Sequence, residues 1–140
     1  MQNRINLTIQ GSPVAKGRPR FARRGNFVTT YTPTNTAQAE SEIQKEALNH
    51  IREPITAPVE LSIVFYMAIP SSTSKKRAES LKNAPHVKRP DVDNLAKLVL
   101  DALNGIAWKD DSQVFKMTVE KRYSDNPRTE VTIEEYVSEL

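Results

Sequence analysis

The longest regular alternation of apolar and polar positions runs through Val59, Leu61, Ile63, Phe65, Met67 and Ile69. A period of two held over that length predicts a strand with one buried face, and Pro70 closes it. Ile5, Leu7 and Ile9 predict an earlier strand of the same kind. Phe115, Met117, Val119 and Tyr123 predict a third, and Val131 and Ile133 a fourth, entered through the turn sequence "SDNP". Between these strands the period changes. Ile43, Ala47 and Ile51 recur at four-residue steps and predict a helix from about 36 to 52, with Pro54 and Pro58 bracketing its exit. Val92, Leu95, Val99, Ala102, Leu103 and Ile106 draw the apolar stripe of a second helix, which starts after Pro90 and stops before Gly105, a residue suited to the left-handed position past a helix end. The polar, basic stretch 71–90 has room for a short helix over 74–83. The order β-α-β-α-β-β predicts an α/β (α+β) fold, a small mixed four-stranded sheet packed with two main helices.

A chain of 140 residues is one domain's worth, expected to span 1–140 and able to bury about two-thirds of its unfolded surface. The absence of cysteine excludes a disulfide framework and a thiolate metal site. Apolar runs are too short to cross a membrane, and "MQNRINLTIQ" alternates too early for a signal peptide, so a cytoplasmic protein without a membrane partner is expected. Net charge is only +3, but its distribution is uneven. Residues 16–24, "KGRPRFARR", carry Lys16, Arg18, Arg20, Arg23 and Arg24 with no acid among them. Gly17, Pro19 and Gly25 exclude a helix there and predict an extended arm or hairpin at about 11–33. Phe21 and Phe27 interleave with the arginines, which suits either stacking on bases or anchoring to the core. A second basic group, Lys75, Lys76, Arg77, Lys82, Lys88 and Arg89, leads into the second helix. Lys16, Arg18, Arg20, Arg23, Arg24, Lys88 and Arg89 are the candidate nucleic-acid phosphate contacts, although a basic arm can also be merely solubilising.

Chemistry concentrates in "RPDVDNLAKLVLDALNG" at 89–105 and the following "IAWKDD". Asp91 and Asp93 fall at the mouth of the helix, facing its free first-turn N–H groups and the positive end of its dipole, where negative charge is favoured. Lys97 lies one turn further in, and Asp110 and Asp111 follow after a short turn beside Trp108. Oxygen donors of this kind suit magnesium, which keeps several waters and takes one or two carboxylates together with phosphate oxygens. Each feature alone has an ordinary reading. Asp-x-Asp can be a cap with a dipole-compensating charge, Asp93 and Lys97 an i,i+4 ion pair, and Asp110-Asp111 a solvated turn. Together they match what metal-dependent phosphoryl transfer requires. No Ser-His or Cys-His arrangement offers a covalent route. His50 sits beside the first helical stripe and reads as structural, while His86 precedes the acids and reads either as a phosphate contact or, more commonly for an exposed histidine, as idle.

The run "RPDVDNLAKLVLDALNG..WKDDSQV" resembles the RusA-type Holliday-junction resolvases, with their D-x-D-N-L-x-K helix and W-x-D-D-x-Q-V turn; "VAKGRPRFARRG" and "YTP" resemble the basic arm of one branch of that family. The resemblance implies metal-binding carboxylates at Asp91, Asp93 and Asp111, a catalytic lysine at Lys97, a four-way DNA junction as substrate, and a homodimer. Asp101 and Asp110 also match acidic positions, with Asp101 placed to steer Lys97. One or two Mg²⁺ (or Mn²⁺) ions are then expected at a scissile phosphate, with Lys97 orienting the attacking water or neutralising developing charge. Two other readings stay open at this point: a metal-dependent nuclease acting on other DNA, and a non-catalytic DNA-binding recombination protein whose acids are structural.

Overall fold

The computed structural model describes residues 4–17, 20–24, 27–31 and 34–138, with residues 20–34 described through their backbone only. The chain runs β1 (Arg4–Gln10), β2 (Arg20–Arg24), β3 (Phe27–Tyr31), α1 (Thr34–Leu48), β4 (Val59–Ala68), α2 (Lys75–Leu81), α3 (Val92–Leu103), β5 (Val114–Ser124) and β6 (Arg128–Glu135). Strands β1, β6, β4 and β5 lie side by side in that order as a mixed sheet. The β1–β6 and β6–β4 pairs are antiparallel, and β4–β5 is parallel. The expected order is present, and the basic arm adds a hairpin of its own, β2 with β3, registered from Arg20↔Tyr31 to Arg24↔Phe27.

The alternation that predicts β4 appears directly in its burial, every second residue from Val59 to Met67 being buried. On that face Leu61, Ile63 and Phe65 join Leu7, Val131 and Ile133, and the cluster is closed by Ile43, Ala47 and Ile51 from the α1 region and by Leu95, Leu98, Val99, Ala102 and Leu103 from α3. Burying six such apolar side chains against a helical layer stabilises the fold by about 1.5–3 kcal/mol each before chain entropy is counted. Helix α1 stops at Leu48, short of the expected 52, yet Ile51 N–H still bonds the Ala47 carbonyl at 2.8 Å and keeps Ile51 in the core. The opposite sheet face is polar, crossed by Arg4–Glu134, Lys116–Glu60 and Arg128–Glu130 ion pairs, with the Arg128 guanidinium 3.9 Å from the Tyr66 ring centroid.

Two departures from the periodicity matter. Strand β5 forms where Phe115, Met117, Val119 and Tyr123 predict it, but Phe115 and Met117 are 55% and 43% exposed because β5 is the sheet edge and the helical layer does not cover its first half. His86, expected at the surface, is buried instead. Its ring lies 4.7 Å from that of Tyr123 and its N–H bonds the Lys121 carbonyl, so the segment 83–86 runs along the last residues of β5. That burial removes it from phosphate contact.

Burial, and next the positive charge of Lys121, hold the His86 pKa below the ordinary histidine value. The unfolded chain therefore takes up this proton more readily than the folded protein. Stability is fully held above about pH 6.5 and falls as the pH drops below it toward the depressed folded value. Thermal melting followed from neutral pH down to about pH 5 should show this loss, and His86→Phe should flatten it. The same slope in both proteins would contradict the assignment.

Candidate active site

The first turn of α3 carries the acids. Asp91 occupies the N-cap with extended backbone (φ −71°, ψ 149°), and its side chain makes no capping hydrogen bond. Asp93 sits in the first turn, and Asp91, Asp93 and Lys97 are all exposed. Among the described residues none of the three side chains has an ion-pair or hydrogen-bond partner, so neither the capping role nor the Asp93–Lys97 pair is formed. Two carboxylates and an ammonium therefore remain free within two turns of one helix, which suits a hard cation and a phosphate. Arg89 and Pro90 line a shallow depression with Asp91 and Asn94. Behind it, Lys121 Nζ donates to the Lys88 and Pro90 carbonyls at 2.7 and 2.8 Å, fixing the entry to the helix against β5.

Past α3 the chain makes a second, rigid joint. Gly105 takes φ +82°, the left-handed conformation its position predicts, and its N–H bonds the Trp108 carbonyl. Trp108 is wholly buried, and its indole N–H donates to Asp111 Oδ1 at 2.8 Å. Asp110 and Gln113 form a reciprocal cap around the single 3₁₀ turn Asp111–Gln113: Asp110 Oδ2 accepts from Ser112 N–H, and Gln113 Oε1 accepts from Asp110 N–H. Hydrogen bonding from Ser112 to its carboxylate pulls the Asp110 pKa below the usual carboxylate value. The Gln113 amide also donates to the Ile55 and Ala57 carbonyls at 2.8 and 2.9 Å. Asp110 is thus a capping residue, while Asp111 is aimed by a buried donor.

The joint and the helix mouth do not meet. Asp91 lies beside Lys121, and Asp111 lies three residues before Val114; seven residues of strand between those points span about 23 Å. Helix α3 gives a second ruler, since thirteen residues separate Asp91 from Asn104, which bridges to Trp108; at 1.5 Å per residue that is about 20 Å. Two carboxylates on one Mg²⁺ bring their oxygens within roughly 4 Å. Among the described residues no group of three acids or histidines is gathered where it could hold a metal. Asp91 and Asp93 satisfy magnesium's need for one or two carboxylates, and Asp111 of the same chain stands apart from them.

The candidate DNA contacts divide similarly. Lys16 is a strut: its Nζ lies 2.6 Å from Glu40 and 3.1 Å from Asp101, and its N–H bonds the Asn94 carbonyl. Partial burial opposes its charge, but hydrogen bonding to Glu40 and Asp101 raises its pKa above the ordinary lysine value. Lys16 is therefore already paired within the chain, and the partner of Asp101 among the described residues is Lys16, not Lys97. Partners 24 and 85 positions away leave no signal in local spacing. Arg20, Arg23 and Arg24 lie on β2, Lys88 and Arg89 are exposed, and Arg18 falls outside the described residues. His50 pairs with Glu46 at 3.1 Å, in keeping with a structural role.

A family model described as Endodeoxyribonuclease RusA matches residues 10–134. A Bacillus subtilis (strain 168) protein, the uncharacterized protein YqaN, is 41% identical over 137 residues, which cover 94% of this chain and 96% of that protein.

The Gln113 bonds carry a stability prediction. Gln113→Ala removes two partly buried bonds to the Ile55 and Ala57 carbonyls and one to Asp110, and should lower the unfolding free energy by about 1–3 kcal/mol in urea titration. No change would mean that the joint does not depend on this side chain.

Proposed function

The chain belongs to the RusA endodeoxyribonuclease family, and from that premise we propose that it resolves four-way DNA junctions by metal-dependent, paired phosphodiester cleavage as a homodimer. The observation that carries this reading is the unspent first turn of α3, where Asp91 forgoes its cap bond and Asp93 and Lys97 are unpaired among the described residues. A structural helix start would use these groups. A nuclease keeps them for the substrate.

Asp91 and Asp93 would hold Mg²⁺ or Mn²⁺, which when bound supplies Lewis acidity at a phosphate oxygen and lowers the pKa of a water. The carboxylates keep that centre at the helix mouth, and the α3 N–H groups there face the phosphate. Lys97, on the same helix, neutralises charge developing on the phosphate oxygens or orients the attacking water. Arg89 borders the depression, and with Lys88 just before it holds the flanking phosphate backbone. Two-fold symmetry gives a dimer two equivalent sites for two equivalent strands.

A labelled four-way junction incubated with and without Mg²⁺ tests the reading. Paired nicks at symmetry-related positions and much slower cutting of linear duplex of the same sequence are expected. Asp91→Asn or Asp93→Asn should reduce cleavage by several orders of magnitude while junction binding survives, and Lys97→Ala should abolish most cleavage with metal affinity nearly intact. Undiminished cleavage in EDTA would contradict the metal centre, and equal rates on junction and duplex would point to a general nuclease.

A further inference from the structure

Helix α2 is held in place without contributing to the core. Its seven residues bury no side chain, and a helix that short does not persist on propensity alone. The chain fixes it from both ends. Ser74 caps its start by accepting from Arg77 N–H. Ala78 and Lys82 back onto the ends of β4 and β5, where Lys82 Nζ lies 3.5 Å from Asp125. Asn83 then takes a left-handed φ of +64°, which asparagine tolerates, and turns the chain onto β5. There Asn83 N–H bonds the Tyr123 carbonyl at 2.9 Å, and the Asn83 carbonyl accepts from the Arg122 guanidinium at 2.8 Å.

The face that this scaffolding presents is cationic. At 3.6 residues per turn, Lys76, Arg77 and Ser80 lie on the side turned away from Ala78 and Lys82, and with Ser74 they line a shallow outward depression. Lys76 and Arg77 are exposed, and among the described residues their side chains have no partner. The one acid of the helix, Glu79, is engaged by Lys82 at 3.0 Å. Ser74 and Ser80 spend their hydroxyls on the Arg77 N–H and carbonyl, which leaves the two cations as the binding groups.

We propose that Lys76 and Arg77 grip the phosphate backbone of one junction arm, less than a helical turn from the bond that is cut. The proposal rests on the junction-cleaving reading above. Position supports it. The segment after α2 runs beside β5 from Tyr123 to Lys121, and Lys121 holds the Pro90 carbonyl immediately before Asp91. Helical and strand rises along that path put the Lys76–Arg77 face within about 25 Å of Asp91, against about 34 Å for a turn of B-DNA. Lys88 and Arg89 lie between, so positive charge continues from α2 to the acids. A duplex arm leaving the helix mouth in that direction meets α2 about 3–7 nucleotides from the cleaved phosphate, at about 3.4 Å of rise per nucleotide.

Salt dependence of junction binding in EDTA tests the contact without catalysis. Lys76→Ala/Arg77→Ala should flatten the slope of log affinity against log salt by about 2 units. Arg4→Ala/Lys45→Ala, which removes two cations at the start of β1 and in the last turn of α1, should leave it near wild type. Equal flattening in both variants, or none in the α2 variant, overturns the proposal. A second measurement places the contact on the DNA. Methylphosphonates replacing the phosphates about 3–7 nucleotides to either side of the mapped cut should weaken wild-type binding several-fold and barely affect the α2 variant. Equal weakening of both proteins overturns the placement. A wild type that binds the junction and cuts nothing would sink the functional reading, and the salt slopes would still decide the contact.

Discussion

Parallel pairing of β4 with β5 is the constraint on which the arrangement of this protein depends. Two adjacent parallel strands oblige the chain to travel back along the whole sheet between them, and α3 is that return. Whatever precedes α3 is left at the end where β4 finishes, and whatever follows it is left where β5 begins. Asp91 and Asp93 precede it, and Asp111 follows it. The helix cannot shorten this separation, because Leu95, Leu98, Val99, Ala102 and Leu103 pin it along the core for its full length.

Each end is held by different means. At the helix mouth the Lys121 ammonium gathers the Lys88 and Pro90 carbonyls, and the acids just beyond are left unpaired. At the far end the buried Trp108 and the Asp110–Gln113 cap spend nearly every local polar group on structure, leaving Asp111 aimed by one indole N–H. A carboxylate oriented by a buried donor loses little conformational entropy on meeting a ligand, which is what a binding group requires. Lys16 plays the complementary part by tying the base of the basic arm to α1 and α3.

Local patterning made much of this legible. The alternation from Val59 to Met67 predicts the central strand and its buried face, the α3 stripe predicts the helix and its Gly105 stop, and Gly17, Pro19 and Gly25 foretell the hairpin in the arm. What stayed hidden depends on contacts between distant residues. Asp91 and Asp111 are twenty positions apart and look like neighbours across a turn until the parallel register sets them at opposite ends. Phe115 and Met117 read as core because alternation marks a face without marking an edge. Lys16 reads as a phosphate ligand because Glu40 and Asp101 are remote in sequence, and His86 reads as exposed because its cover comes from β5.

The separation of the two acidic ends within one chain is the central claim, and a distance measurement tests it without reference to activity. With no native cysteine, Lys88→Cys/Lys109→Cys accepts two spin labels on exposed positions beside Asp91 and Asp111. Labelled chain diluted in an excess of unlabelled chain reports the distance within one chain by pulsed dipolar spectroscopy. The fold predicts a distribution centred at about 20 Å or more, and labels in close contact would contradict it.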